Sequence, residues 1–218
     1  MKGKYFTPKK DKVSFGILKQ GQPCQFIPLN EKLAKRCLGF GLIETELNQA
    51  ILLLSMIEGT ENSHQSLALW QSSIMSYSRC FSRASGRKIR IEEKHVSGLP
   101  SGSIEFHRYL MGLRNEYIAH SGNNDVDRSF MVLGLAPQTE ARGVENVFYA
   151  SLASMGPESE KIEQFVVHCQ LLIPVVTELR VKTENRLLAN YRNQDINKLY
   201  EVAYSSSGLV DDAICIQY

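Results

Sequence analysis

Four stretches of this chain place apolar residues at alternating spacings of three and four, and this pattern limits the fold more than any other feature. Ile43, Leu47, Ala50, Leu54 and Ile57 form the first, and Leu67, Trp70, Ile74, Tyr77 and Phe81 the second. Phe106, Tyr109, Leu110, Leu113 and Tyr117 form the third, and Ile162, Phe165, Val166, Cys169, Ile173 and Val176 the fourth. On an α-helix each set falls on one side, so each helix needs a neighbour to cover that side. A helical bundle satisfies all four, and the expected fold class is mainly α.

The first helix is predicted from about Leu42 to Glu58, closed by Gly59, and the second from about Ser63 to Ala84, before Gly86. The short turn between them makes the two antiparallel neighbours, and Trp70, the lone tryptophan, fills their core. From Gly86 to Gly102 the chain is charged and then rich in glycine and proline. It reads as a long loop, with a short helix as the alternative. Ser101 or Ser103 can cap the third helix, whose first turn holds Glu105.

Phe130–Leu133 and Val147–Leu152 are β-prone runs joined by Pro137 to Gly143, which predicts a small inserted hairpin over about 129–153. A lone hairpin needs support, from the bundle or from its counterpart in a partner chain. Pro157 suits the first turn of the fourth helix, expected to run to about Leu188 with a kink at Pro174 and His168 packed among apolar neighbours. A short helix follows at about Asn193 to Ala203. A lysine-rich lead over about 1–30, with extended segments at Val13–Leu18 and Gln25–Leu29, and a tail over about 205–218 complete a single domain of residues 1–218.

The 218 residues are 43% hydrophobic and 22% charged, ordinary for a globular protein with a substantial core. A net charge of +2 is too small for a general nucleic-acid binder, so local clustering decides. Arg79, Arg83, Arg87, Lys88, Arg90 and Lys94 form one basic run, diluted by Glu92 and Glu93. It is either a solvated loop and helix end or, beside a cleft, an RNA-tracking surface carried by Arg79, Arg83, Arg87 and Lys88. Cys24, Cys37, Cys80, Cys169 and Cys215 are odd in number and lack paired spacing, and the start shows no secretory signal, so a reducing cytoplasm is expected. The apolar run near Ala50–Leu54 is too short to cross a bilayer, and no membrane segment is expected. No phosphate-binding glycine loop, paired cysteine motif, zinc-protease motif or serine-hydrolase elbow occurs. His95 and His107 lack metal spacing with His120, and neither a metal nor another cofactor is expected.

The residues most suited to chemistry lie along Ser103–Asn124, where Arg114, Asn115 and His120 stand near the end of an amphipathic helix stopped by Gly122. Arg offers a planar fork that matches phosphate oxygens, and an imidazole can take or give a proton near neutrality. Helical steps of about 100° put Arg114 and His120 roughly 120° apart and ~9 Å along the axis, so one copy makes an incomplete site. The plainer reading is that cations at a helix end complement the dipole and bond the last carbonyls.

The stretch Leu113-Arg114-Asn115-Glu116-Tyr117-Ile118-Ala119-His120-Ser121 resembles the signature of the HEPN superfamily. That resemblance implies a helical bundle, here with an inserted β-hairpin, that pairs across a two-fold axis and brings the Arg and His of both copies into one cleft. It implies a metal-independent endoribonuclease with Arg114, Asn115 and His120 as catalytic residues, RNA as substrate, and a toxin–antitoxin or phage-defence setting with an antitoxin or nucleotidyltransferase partner. Some members of the superfamily keep the fold without the activity. Two further classes therefore stand beside the enzyme: a module that binds RNA or a nucleotide without cleaving it, and a structural homodimer.

Overall fold

The computed structural model describes residues 15–19, 22–60, 62–83, 89–118, 127–137, 143–153, 157–203 and 214–217. It is mainly α, with helices α1 (Lys32–Ser55), α2 (Ser63–Phe81), α3 (Glu93–Val96), α4 (Ser103–Gly112), α5 (Ser159–Arg192) and α6 (Ile196–Val202). A π-helical segment, Leu113–Ile118, continues α4. The strands are β1 (Phe15–Lys19), β2 (Gln22–Cys24), β3 (Asp127–Leu135), β4 (Val144–Ala153) and β5 (Ile214–Gln217). Contacts divide the chain into two units, residues 32–184 and residues 1–31 with 185–218.

In the larger unit the apolar spacing produces the expected core. Ile43, Leu47, Ala50 and Leu54 from α1, Ile74 and Tyr77 from α2, Leu110 from α4 and Phe165, Cys169, Leu172 and Val176 from α5 are fully buried in one cluster. The ring of Phe165 meets Trp70 and Tyr77 edge-on, at 5.5 Å and 5.4 Å between centroids. Edge-to-face pairs of this kind add to plain area burial and give the core its orientation.

Helix starts depart from the sequence reading in informative ways. α1 begins at Lys32, ten residues ahead of the expected Leu42. Gly39 and Gly41 look like breakers, but Gly39 is buried with Phe40 on the side that carries Ile43 and Leu47, and each glycine costs only about 1 kcal/mol against a long packed stripe. α2 starts as expected, because the Asn62 side chain accepts from the backbone N–H groups of His64 and Gln65. α4 is capped by neither Ser101 nor Ser103. Gly102 is the cap, at φ 88°, a left-handed conformation that glycine adopts without strain.

The expected loop of 86–102 contains α3, whose last residue Val96 is in the core with the preceding Ile91, and the Ile91 N–H bonds the Cys80 carbonyl at 2.9 Å. Four helical residues are too few to display a period. α5 runs on to Arg192, past the expected Leu188, with Pro174 inside it, where no N–H is available for the Gln170 carbonyl. Polar groups join α1 to α5: Glu44 accepts from Thr177 at 2.6 Å and from Arg180 at 2.9 Å, and Arg180 also bonds Glu184.

The hairpin forms where the β-prone runs predict it. β3 and β4 pair antiparallel, Met131 opposite Tyr149 and Leu133 opposite Val147, with a bulge at Gly134/Leu135. In the smaller unit the extended lead forms β1 and β2. The expected tail contributes a strand: β5 pairs parallel with β1, giving the order β2-β1-β5. α6 is shorter than expected and starts at the Asp195 cap. Tyr191 donates to Glu31 in the same unit.

By length and composition α1 and α5 could each cross a membrane, so the apolar run at Ala50–Leu54 belongs to a longer candidate span than its sequence limits suggest. In each, 33% of the apolar window is buried inside the protein.

Candidate functional site

Phe106, His107 and Leu110 are buried on one side of α4 and set its rotation, which carries Met111 and Leu113 against the core and leads into the π-helical segment. The segment begins at Leu113, one residue before the Arg114–Asn115 pair, and lies beside α2. Its wider turns replace the 100° step of a regular helix around Arg114 and Asn115. Single π-turns inside helices recur at functional sites, because they re-aim side chains that a regular helix would stack.

Arg114 Nη1 donates to Asn115 Oδ1 at 2.9 Å. Its Nε is buried and has no hydrogen-bond partner. Leaving a guanidinium N–H unmatched costs roughly 1–3 kcal/mol or more, so this group is a poor choice for mere helix termination. No carboxylate among the described residues pairs with Arg114. The fork is held by Asn115 through one N–H, and its Nε has no acceptor among the described residues. Asn115 itself is exposed.

His120 lies outside the described residues, as do Arg87 and Lys88. Arg79 is engaged by Glu46 through Nε at 3.1 Å and Nη2 at 2.7 Å, tying α2 to α1. Arg83 is exposed just after α2. Lys94 is paired with Glu92 at 2.5 Å, and Arg108, on α4, with Glu93 at 2.8 Å. Arg79 and Lys94 of the basic run therefore carry their own counter-charge, a local arrangement that charge counting along the chain does not reveal.

A second constellation escapes sequence reading. The Tyr77 hydroxyl sits 2.7 Å from His107 Nδ1 and 2.8 Å from His168 Nε2, joining α2, α4 and α5 inside the core. One hydroxyl has one proton, so it donates to one imidazole and accepts from the N–H of the other. Both rings are then neutral. Burial pushes the His107 pKa down and holds that of His168 at about 4, with His107 adding to the effect on His168, while burial raises the Tyr77 phenol. Closed off from solvent, this chain of hydrogen bonds fixes α4, which leads into the segment that carries Arg114, rather than meeting a polymeric substrate. The apolar stripes do mark Tyr77 and His168 as inward-facing. Their partnership spans 91 residues of sequence, which no local signal conveys.

Among the described residues no group of three or more His, Cys, Asp or Glu side chains comes together as a metal site. Comparison with family models, with curated proteins and with solved structures finds no match for the chain.

Proposed function

We propose that this chain is a HEPN-type, metal-independent endoribonuclease that works as a homodimer in the cytoplasm, within a toxin–antitoxin or phage-defence system. The observation that carries the reading is Arg114: a guanidinium bonded to Asn115, without a carboxylate partner among the described residues, in a π-helical segment six residues before His120 in the sequence. In this mechanism His120 takes the proton from a ribose 2′-hydroxyl or returns one to the leaving oxygen. Arg114 binds the phosphate and offsets the charge that develops on it, and Asn115 orients the guanidinium. The second copy supplies the other half of the cleft. An antitoxin or nucleotidyltransferase encoded beside it fits the same reading.

The test is incubation of the purified full chain with mixed RNA in excess chelator, with analysis of product ends. Cleavage leaving cyclic phosphates is expected, falling by about 10²–10⁴ in His120→Ala and by about 10²–10³ in Arg114→Ala. Cleavage that needs a metal, or that is unchanged in His120→Ala, eliminates the mechanism. Binding of RNA without cleavage by the unaltered protein points to the non-catalytic binding module instead.

A further inference from the structure

The β3–β4 hairpin presents one face made of three cross-strand pairs, Met131 with Tyr149, Leu133 with Val147 and Leu135 with Val144. Directly opposed residues lie on the same side of a pleated ribbon. All six are 53–68% exposed, and none is charged. The opposite face is better covered: Val132 and Phe148 are 37% and 49% exposed, and the Phe148 ring lies over Gly134, where an added Cβ would come within 2.5 Å of it. The outward face is thus an apolar patch without a covering layer, on a two-stranded ribbon that is marginal by itself in water.

We propose that this face is a self-association surface, packing against the same face of a second copy of the chain about a two-fold axis. The area argues for it. At ordinary side-chain areas the exposed parts of the six residues come to on the order of 600 Å² per chain. Two copies face to face remove about 1,200 Å² from water, above the roughly 1,000 Å² that a specific interface requires. A two-fold interface places a patch against itself; the six residues set no like charges face to face, and the exposed Glu145, the extra residue of the bulge, lies at the end of the patch. Strand-to-strand pairing at the hairpin edges would leave the face wet. Packing of sheet on sheet at about 10 Å covers it. Both strands are apolar on successive residues, the pattern of strands covered on both faces. The inference draws on the hairpin alone: a wild-type monomer would remove it together with the homodimer of the ribonuclease reading, whereas a dimer that persists unweakened in the Leu133 variants removes it and leaves that reading standing.

Sedimentation velocity of the full chain at tens of micromolar is the experiment, and about twice the 24.6 kDa chain mass is expected. Leu133→Lys puts a charge at the centre of the face and is expected to give a monomer with unchanged helical circular dichroism. Should that variant lose its helical signal, the double variant Leu133→Thr with Val147→Thr decides, since threonine keeps the strand preference. It is expected to raise the dimer dissociation constant by at least about tenfold. Val132→Lys, on the opposite face, is expected to leave the dimer intact. A wild-type monomer at 100 micromolar overturns the proposal, and so does a dimer that persists unweakened in the Leu133 variants.

Discussion

The helical core and the β3–β4 hairpin are built from much the same residue types, yet the protein treats them in opposite ways. In the core, Phe165 and Tyr77 are fully buried and meet edge-on. In the hairpin, Tyr149 and Leu135 are each 68% exposed. The difference lies in the period. A three-and-four spacing collects apolar groups on one side of a helix, and the next helix in the chain can cover that side. A two-stranded ribbon has two faces, and runs such as Phe130–Leu133 and Val147–Ala150 populate both. No arrangement within the ribbon hides them. The candidate site stands between the two regimes: α4 is anchored in the core through His107, the π-turn carries Arg114, and the hairpin comes next in the chain.

The contrast can be broken most severely at Phe165. Phe165→Ala removes the ring shared by Trp70, Tyr77 and Phe106, and a loss of about 3–5 kcal/mol in urea unfolding is expected. A loss below about 1 kcal/mol would mean that the rings are not the centre of the core.

Acid comes next. His168 has a folded pKa of about 4 against about 6.5 in the unfolded chain, so between these values the unfolded state holds a proton that the folded state lacks. Stability is therefore full above pH 6.5 and falls as the pH drops toward 4, by up to about 3 kcal/mol, with His107 acting in the same direction. Urea midpoints measured from pH 7.5 to 4 check this, and His168→Gln should flatten the curve.

Tyr77→Phe keeps the ring but strands His107 Nδ1 and His168 Nε2, and a loss of roughly 1–3 kcal/mol is expected in the same assay. An unchanged midpoint would show that the hydroxyl contributes nothing to joining the three helices.

The smallest global effect is expected at Gly134→Ala. The new methyl displaces the Phe148 ring, and because the hairpin lies apart from the core cluster, overall stability should move by less than about 0.5 kcal/mol. Amide exchange should nevertheless quicken across β3 and β4 while that of α2 and α5 stays unchanged. Equal acceleration in both regions would erase the distinction drawn between them.

Periodicity and turn chemistry alone determined the mainly helical class, the faces of the helices, the Asn62 start of α2 and the hairpin between Asp127 and Ala153. These follow from interactions between residues a few positions apart, which sequence records directly. Tertiary structure decided the rest. It carried α1 back through Gly39 and Gly41 to Lys32, because packing of the whole stripe outweighs two weak helix formers. It stabilised the four residues of α3 through Ile91 and Val96 and drew Ile214–Gln217 into a parallel pairing with β1. The Tyr77–His107–His168 chain and the ion pairs that occupy Arg79 and Arg108 are likewise products of folding. So is the buried Nε of Arg114, which has no partner among the described residues. Each depends on which distant groups arrive at hydrogen-bonding distance, and that is a property of packed helices rather than of spacing along the chain.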